Sequence, residues 1–384
     1  MMGNSILKRT EANPEVTVLM AVYNGEHFLR EAIDSILNQT YTDFEFLIVN
    51  DASNDRTSEI LLSYTDHRIK IINNEKNHGL TRALNKGLSI AKGKYIARQD
   101  ADDISHRQRF EKQVAFLQSN PRVVLLGTQA RIIDEKSRVY KNQGETKALS
   151  HKAILYQFLF ENPFIHTSVM FRKNIIYDEL KGYNETFVYN QDFELWSRVI
   201  KHYEVSNLSE MLVDFRNNSQ SITKVSDQKL KAFNENFYRN VEVQIGNLST
   251  ILTDNSFGNW PKYWTQLNVP YVSIYKISAS ELISLIPKIR KKFLAVHEIE
   301  LLLEKNVSSI TANIYFKLAM LLAKSSKKEA FMAFRYGFKY NYENGIILFP
   351  EFLFRITNLL FFGKLFKKTV NSVSNFFKKS QYKL

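Results

Sequence analysis

The sequence contains no cysteine. That absence excludes disulfides, thiolate catalysis and cysteine-ligated zinc. Runs of 18 or more apolar residues are also missing. The nearest candidate, 346–362, is interrupted by Pro350, Glu351 and Arg355, which argues against a spanning helix. Met1 to Pro14 is polar and has no apolar stretch of the signal-peptide kind, so a cytoplasmic protein is expected. No low-complexity tract and no convincing repeat occurs. What remains is ordinary globular material: 44% hydrophobic residues in a chain of 384, enough for two or three domains.

The net charge of +13 is unevenly placed. From Ser226 to Leu384 there are 23 Lys/Arg against 11 Asp/Glu, whereas 1–225 holds 29 against 28. The first part is balanced and the second is strongly basic. Such asymmetry marks a boundary and gives the second part an anionic partner.

Texture changes at the same place. Val16–Ala21, Phe44–Val49, Ile69–Ile72 and Tyr95–Ala97 read as strands. Glu26–Leu37 carries apolar residues at helical spacing, Asp55 is placed to cap a helix through Leu62, and Leu80–Ala91 reads as another helix. Strand–helix alternation predicts an α/β fold, a mostly parallel sheet with helices on both faces. Arg216 to Ser221 is polar and reads as a linker. Beyond it the chain reads as mainly α-helical, with a helical hairpin over 314–340 crossing at Ala319, Ala323, Ala330 and Ala333.

Three carboxylates fall within four residues at Asp100-Ala101-Asp102-Asp103, just after the fourth strand. They repel one another, and folding alone gives no reason for them. A divalent cation such as Mg2+ carrying a diphosphate does, because hard cations take oxygen ligands from carboxylates and phosphates. A solvated loop capping the next helix would be the blander explanation. The first strand ends in Ala21-Val22-Tyr23-Asn24-Gly25 and the second in Asn50-Asp51-Ala52-Ser53. Polar clusters at three strand ends of one parallel sheet converge on one crevice. There Tyr23 could stack on a base and Asp51 accept from a ring N–H. Taken singly, Asn24-Gly25 could be a turn and Asp51 a cap. Arg82, Lys86 and Arg98 are candidate phosphate partners, although surface cations are usually just solvated.

The stretch from Val16 to about Trp196 resembles the family-2 glycosyltransferases of GT-A fold, the bacterial group that builds surface polysaccharides such as capsule and lipopolysaccharide. The matching pieces are Val18-Leu19-Met20-Ala21-Val22-Tyr23-Asn24, Leu37 to Glu45, Asn50 to Asp55, Asn77-His78-Gly79-Leu80 through Gly87, Tyr95 to Asp103, and Asn190-Gln191-Asp192-Phe193-Glu194-Leu195-Trp196. The resemblance implies a Rossmann-like catalytic domain over 1–223, followed by a basic, mainly helical domain over 224–384. It implies metal-dependent, inverting transfer of a hexosyl-type sugar from a nucleotide diphosphate sugar, UDP-linked by expectation, to a glycan or lipid-linked glycan. Carried over by position, Ala21, Tyr23 and Asp51 would hold the base and Asp100 the ribose side. Asp102 would hold Mn2+ or Mg2+ and the diphosphate. Asn50 and Gln191 stand where the family often has acidic residues.

Inverting displacement needs a base for the acceptor hydroxyl. Asp192, at the start of an amphipathic helix, fits that role, or else serves as a helix cap. His166, in Asn162 to Ser168, and Gln191 are candidate acceptor or diphosphate contacts; a hydrogen-bonded core histidine is the alternative for His166. Trp196 reads as core. A glycan- or nucleotide-binding protein without turnover and a sugar nucleotidyltransferase are the competing functions. The retained Asp102 and Asp192 oppose the first. The second would need a Gly-rich basic loop where Tyr23-Asn24-Gly25-Glu26 stands.

In the tail, Leu359, Phe362, Phe366, Val370, Val373 and Phe377 form an apolar stripe. Lys364, Lys367, Lys368, Lys378 and Lys379 lie opposite. A basic amphipathic helix of this kind suits an anionic membrane surface or docks on the protein. It predicts a peripheral protein on the cytoplasmic face. Nucleic acid is not expected, since no recognition motif accompanies the charge.

Overall fold

Val16–Val22 (β1) and Phe44–Asn50 (β2) are buried along their whole length, as strands covered on both faces must be. Glu45 is the charged exception inside β2. Burial raises its carboxyl, but hydrogen bonds from Lys70, Thr17 and the Lys92 N–H outweigh that and hold it low. Ile69–Asn73 (β3) and Tyr95–Gln99 (β4) complete a parallel quartet in which Val16 stands opposite both Phe44 and Tyr95. Gly93 lets the chain enter β4, since a Cβ there would lie 2.3 Å from the Thr17 nitrogen.

The computed structural model describes residues 13–145, 147–218, 230–254, 257, 260–262, 279–297, 301–322 and 327–341. Helices α1 (Leu29–Leu37), α2 (Thr57–Leu62) and α3 (Leu80–Ile90) connect the quartet. In α1, Leu29, Ala32, Ile33 and Ile36 are buried, one apolar stripe at helical spacing. After β4 come β5 (Ile104–Ser105), α4 (Arg109–Ser119), β6 (Val123–Ile133), β7 (Val139–Glu145) and α5 (His151–Phe158). Then follow a 3-10 turn at His166–Ser168, β8 (Met170–Arg172), a π turn at Asn174–Glu179, α6 (Gln191–Val199) and β9 (Glu204–Arg216). The sheet order is β3-β2-β1-β4-β8-β6-β9-β5, with β7 paired to β6.

The sheet is therefore mixed. The parallel quartet stands where the sequence pattern put it, and β8 joins it antiparallel to β4, with Ile96 opposite Phe171. That reversal brings the turn before β8 to the carboxyl end of β4. The 216–221 stretch does not begin as a linker: Arg216 is the last residue of β9.

The described residues divide into two compact units, the first ending at Gln244. The expected junction between 223 and 224 lies outside the described residues. The second unit is helical: the end of α7 (Leu230–Leu252), then α8 (Ala279–Val296), α9 (Leu301–Leu322) and α10 (Lys327–Tyr340). The expected hairpin is α9 against α10. Ala319, Ala330 and Ala333 are fully buried, and Tyr315 stacks on Tyr336 and Tyr340 with centroids at 5.3 and 6.0 Å. Gly337 is required there, because a Cβ would lie 2.2 Å from the Phe316 ring. Ala323 and the basic tail from Leu359 lie outside the described residues. Among those described, no helix is long and apolar enough to cross a membrane.

Candidate active site

The loops after β1 and β2 are fastened to each other. The Asn24 N–H donates to Ser53 Oγ at 3.0 Å, and the Asn54 N–H to Asn24 Oδ1 at 2.9 Å. The Gly25 N–H donates to Thr57 Oγ1, and the Glu26 N–H to Asp55 Oδ2. Asp55 also accepts the Thr57 N–H at 2.9 Å and so holds the start of α2, although the cap position itself falls on Arg56 and not on Asp55. Asn24 and Ala52 sit at φ of +53° and +60°, left-handed conformations that cost energy for non-glycine residues. Ala21 is buried at the end of β1, while the Tyr23 ring is half exposed and open to stacking.

Asp51 is 3% exposed and already occupied. Its carboxylate accepts from the His78 N–H at 3.0 and 3.1 Å, the Gly79 N–H at 2.8 Å and Asn74 Nδ2 at 2.6 Å. It thus pins the loop that enters α3, and contact with a base N–H would use what acceptor capacity remains. Arg82, on the exposed side of α3, faces Glu185 at 3.4 Å. The Lys86 ammonium donates to Asn74 Oδ1 at 2.6 Å.

Beyond β4 the acidic loop is held from below. Arg98 is fully buried. Its guanidinium reaches Asp100 Oδ1 at 2.6 Å, the Leu19 carbonyl at 3.4 Å and the Gln99 carbonyl. It stands behind Asp100 as a counter-charge, shut off from solvent, and not as a surface phosphate contact. The Asp100 N–H donates to Thr167 Oγ1 at 3.0 Å. Asp102 accepts from Asn218 Nδ2 at 2.6 Å. Burial first, and Asp100 second, push its carboxyl up to about 6. Asp103 is fully buried and pushed well up by burial, Asp102 and Asp100. One of its oxygens accepts the Arg216 N–H at 2.7 Å; the other makes no well-formed hydrogen bond among the described residues.

These features fit a hard divalent cation. The donors are carboxylates, their charge is under-neutralised, and one buried oxygen is unsatisfied. Among the described residues, no three or more His, Asp or Glu side chains could hold an ion by themselves. A bound ligand would have to complete the coordination, as phosphates do.

The other wall comes from the segment leading into β8 and from α6. Asp192 occupies the second position of α6. The helix cap is Asn190, at φ +57°, which releases Asp192 from that duty. The Asp192 carboxylate accepts from Asn162 Nδ2 at 2.7 Å. Gln191 is 7% exposed. His166 shares a hydrogen bond with the Tyr183 hydroxyl at 2.9 Å. Burial first, and then Arg98, push the imidazole down to about 4, against the pull of Asp192 and Asp100. It is therefore neutral near pH 7. Burial also raises the Tyr183 hydroxyl above its usual range. Trp196 is fully buried against Phe164, His166, Phe171 and Tyr183, a core residue as expected. His166 thus lies within electrostatic reach of both Asp100 and Asp192, which joins the two walls.

A cavity of about 730 Å³ lies elsewhere, at the amino ends of β4 and β6, lined by Lys92, Lys94, Arg122 and Arg172. Arg172 there satisfies the carbonyls of Leu117 and Asn120 at the end of α4, a capping role.

Residues that sequence reasoning missed are Tyr183, Arg216 and Asn218; Asn162 and Thr167 lie in the segment it singled out around His166 but carried no role there. Each meets the site through a partner far away in sequence, so no local pattern announces it.

Comparison with known proteins points the same way. Residues 17–180 match the family model described as glycosyl transferase family 2. The Escherichia coli O-antigen biosynthesis glycosyltransferase WbnJ is 35% identical over 215 residues, 54% of this chain and 82% of that protein. The Escherichia coli UDP-Glc:alpha-D-GlcNAc-diphosphoundecaprenol beta-1,3-glucosyltransferase WfgD is 30% identical over 218 residues, 56% of this chain and 82% of that protein. Among solved structures, S. aureus TarS 1-349 in complex with UDP-GlcNAc superposes with a TM-score of 0.50 at 14% identity, covering 88% of this chain and 92% of that one. At that identity the likeness concerns the fold alone.

Proposed function

The chain belongs to glycosyl transferase family 2 and is a sugar-transferring enzyme of α/β GT-A fold, and on that premise we propose metal-dependent, inverting transfer from a nucleotide diphosphate sugar to a glycan or lipid-linked glycan in polysaccharide synthesis. The observation that carries this reading is that His166 lies within electrostatic reach of both Asp100 and Asp192, next to Thr167, whose hydroxyl accepts the Asp100 N–H at the carboxyl end of β4. One acidic wall is suited to a cation and diphosphate; the other holds a carboxylate fixed on a helix. WfgD's name specifies UDP-Glc and a diphosphoundecaprenol-linked acceptor, which favours a UDP-linked donor and a lipid-linked acceptor here.

The base would stack on Tyr23, beside Ala21 and Asn24, with Asp51 fixing the loop around it. Asp100 would face the ribose. Asp102 would hold Mn2+ or Mg2+, whose chemistry is to offset charge on the departing diphosphate. Asp192 takes the proton of the acceptor hydroxyl as its oxygen attacks the anomeric carbon. The bond to the diphosphate breaks on the opposite face, and its electron pair leaves with the diphosphate. Asn162 keeps the Asp192 carboxylate in place. His166 is neutral, so it can orient acceptor or diphosphate by hydrogen bonding but brings no positive charge. Arg82 and Lys86 are exposed cations of α3 that could move to the phosphates.

The catalytic domain is assigned to 1–223 and the basic helical domain to 224–384. The tail would bring the enzyme to an anionic membrane surface on the cytoplasmic side. A hydrolysis screen across UDP- and GDP-sugars, with Mn2+ or Mg2+, tests the donor reading. Turnover of at least one UDP-sugar is expected; no turnover of any with either metal would refute it.

A further inference from the structure

Arg216 and Asn218, at the end of β9, tie the acidic loop to the rest of the fold. The Arg216 side chain is fully enclosed. Its Nε donates to the Asp102 carbonyl at 2.7 Å. One terminal nitrogen reaches the Asp134 carbonyl and Ser137 Oγ, both at 3.0 Å. The other reaches Glu31 Oε2 at 2.9 Å, and the guanidinium lies 4.4 Å over the Phe28 ring. The Arg216 main-chain N–H holds Asp103 at 2.7 Å, and two residues on Asn218 holds the Asp102 carboxylate at 2.6 Å.

Two residues therefore join the acidic loop to α1 and to the turn between β6 and β7. Three mutually repelling carboxylates in a loop would otherwise spread apart. A guanidinium presents its donors in a rigid fork, which a lysine cannot copy. We propose that Arg216 and Asn218 are positioning residues of the donor site, a latch that fixes where Asp102 meets the cation and diphosphate. The inference rests on the reading of Asp102 as the cation-binding residue.

Asn218→Ala removes the donor to the Asp102 carboxylate without touching the guanidinium node, so the fold should survive. A hydrogen bond to a charged group contributes enough to change affinity by about tenfold when lost. In UDP calorimetry at limiting Mn2+, Asn218→Ala should bind about tenfold more weakly than the wild type, and the deficit should close as Mn2+ is raised. Electron paramagnetic resonance of free Mn2+ should show the matching loss of cation uptake in the presence of UDP. Arg216→Lys should produce a loss of the same kind; should it fail to fold, Asn218→Ala decides alone. If Mn2+ tightens UDP binding equally in the wild type and Asn218→Ala, the latch is wrong and the cation reading stands. If Mn2+ does not affect UDP binding even in the wild type, the cation reading falls and the latch with it.

Discussion

The two halves of this chain solve different problems. In the first unit, polar side chains are buried at the carboxyl ends of strands: Asp51, Arg98, Asp103 and Arg216 are each nearly or fully enclosed. Burying them is costly unless partners are supplied, and the partners come from distant segments. In the second unit the described core is aliphatic and aromatic, with Tyr315, Phe316, Phe334 and Phe338 packed across α9 and α10. The first unit uses its fold to hold charge in place. The second holds shape, and the stretch from Ser226 onward, which contains it, carries 23 Lys/Arg against 11 Asp/Glu.

The sharpest way to break that contrast is at Asp192. Asp192→Asn preserves size and the link to Asn162 but removes the proton acceptor. Turnover should fall by about 10²–10⁴ while nucleotide affinity stays near wild type. Steady-state rates beside calorimetry decide it; normal turnover refutes the role.

The next largest effect belongs to the basic part. Five lysines between 364 and 379 contribute about 1 kcal/mol each at an anionic surface. A chain ending before Gly363 should bind anionic liposomes more than tenfold more weakly and still hydrolyse donor. Added salt should weaken binding by the full-length chain. Co-sedimentation that is unchanged by truncation would make the tail a structural helix.

The smallest effect concerns pH. His166 is neutral in the folded protein down to about 4, whereas an unfolded histidine charges near 6.5. Between those values the unfolded chain binds the extra proton, so stability falls as pH drops through that window. Urea titrations at pH 7 and pH 5 should show a loss that shrinks in His166→Gln. An unchanged loss would mean that other groups carry it.

Much of the first unit was legible in sequence. The apolar runs of β1 to β4 and the spacing in α1 and α3 are local signals, and the elements stand within a few residues of expectation. Asp100, Asp102 and Asp192 stood out because carboxylates at a strand end or a helix start ask for a reason. Pairings were not legible. Nothing near Met170 says that β8 lies antiparallel to β4, and Arg216 meets Asp102 across 114 residues. Arg98 reads as a surface cation in the sequence but is enclosed in the fold: Asp100 and Gln99 are its neighbours, while the Leu19 carbonyl of β1, 79 residues away, is a contact that no local pattern reveals. The sequence presents Asp51 as an acceptor for a ligand, whereas in the fold Asn74 and the backbone of His78 and Gly79 take most of its capacity.

The central claim is that the acidic loop after β4 holds a nucleotide diphosphate through a divalent cation. Titrating UDP into the wild type and Asp102→Ala, each with Mn2+ and with chelator, tests it most directly. Cation-dependent binding in the wild type, lost in a folded Asp102→Ala, is the predicted result. Equal affinity with Mn2+ and with chelator in the wild type would contradict it.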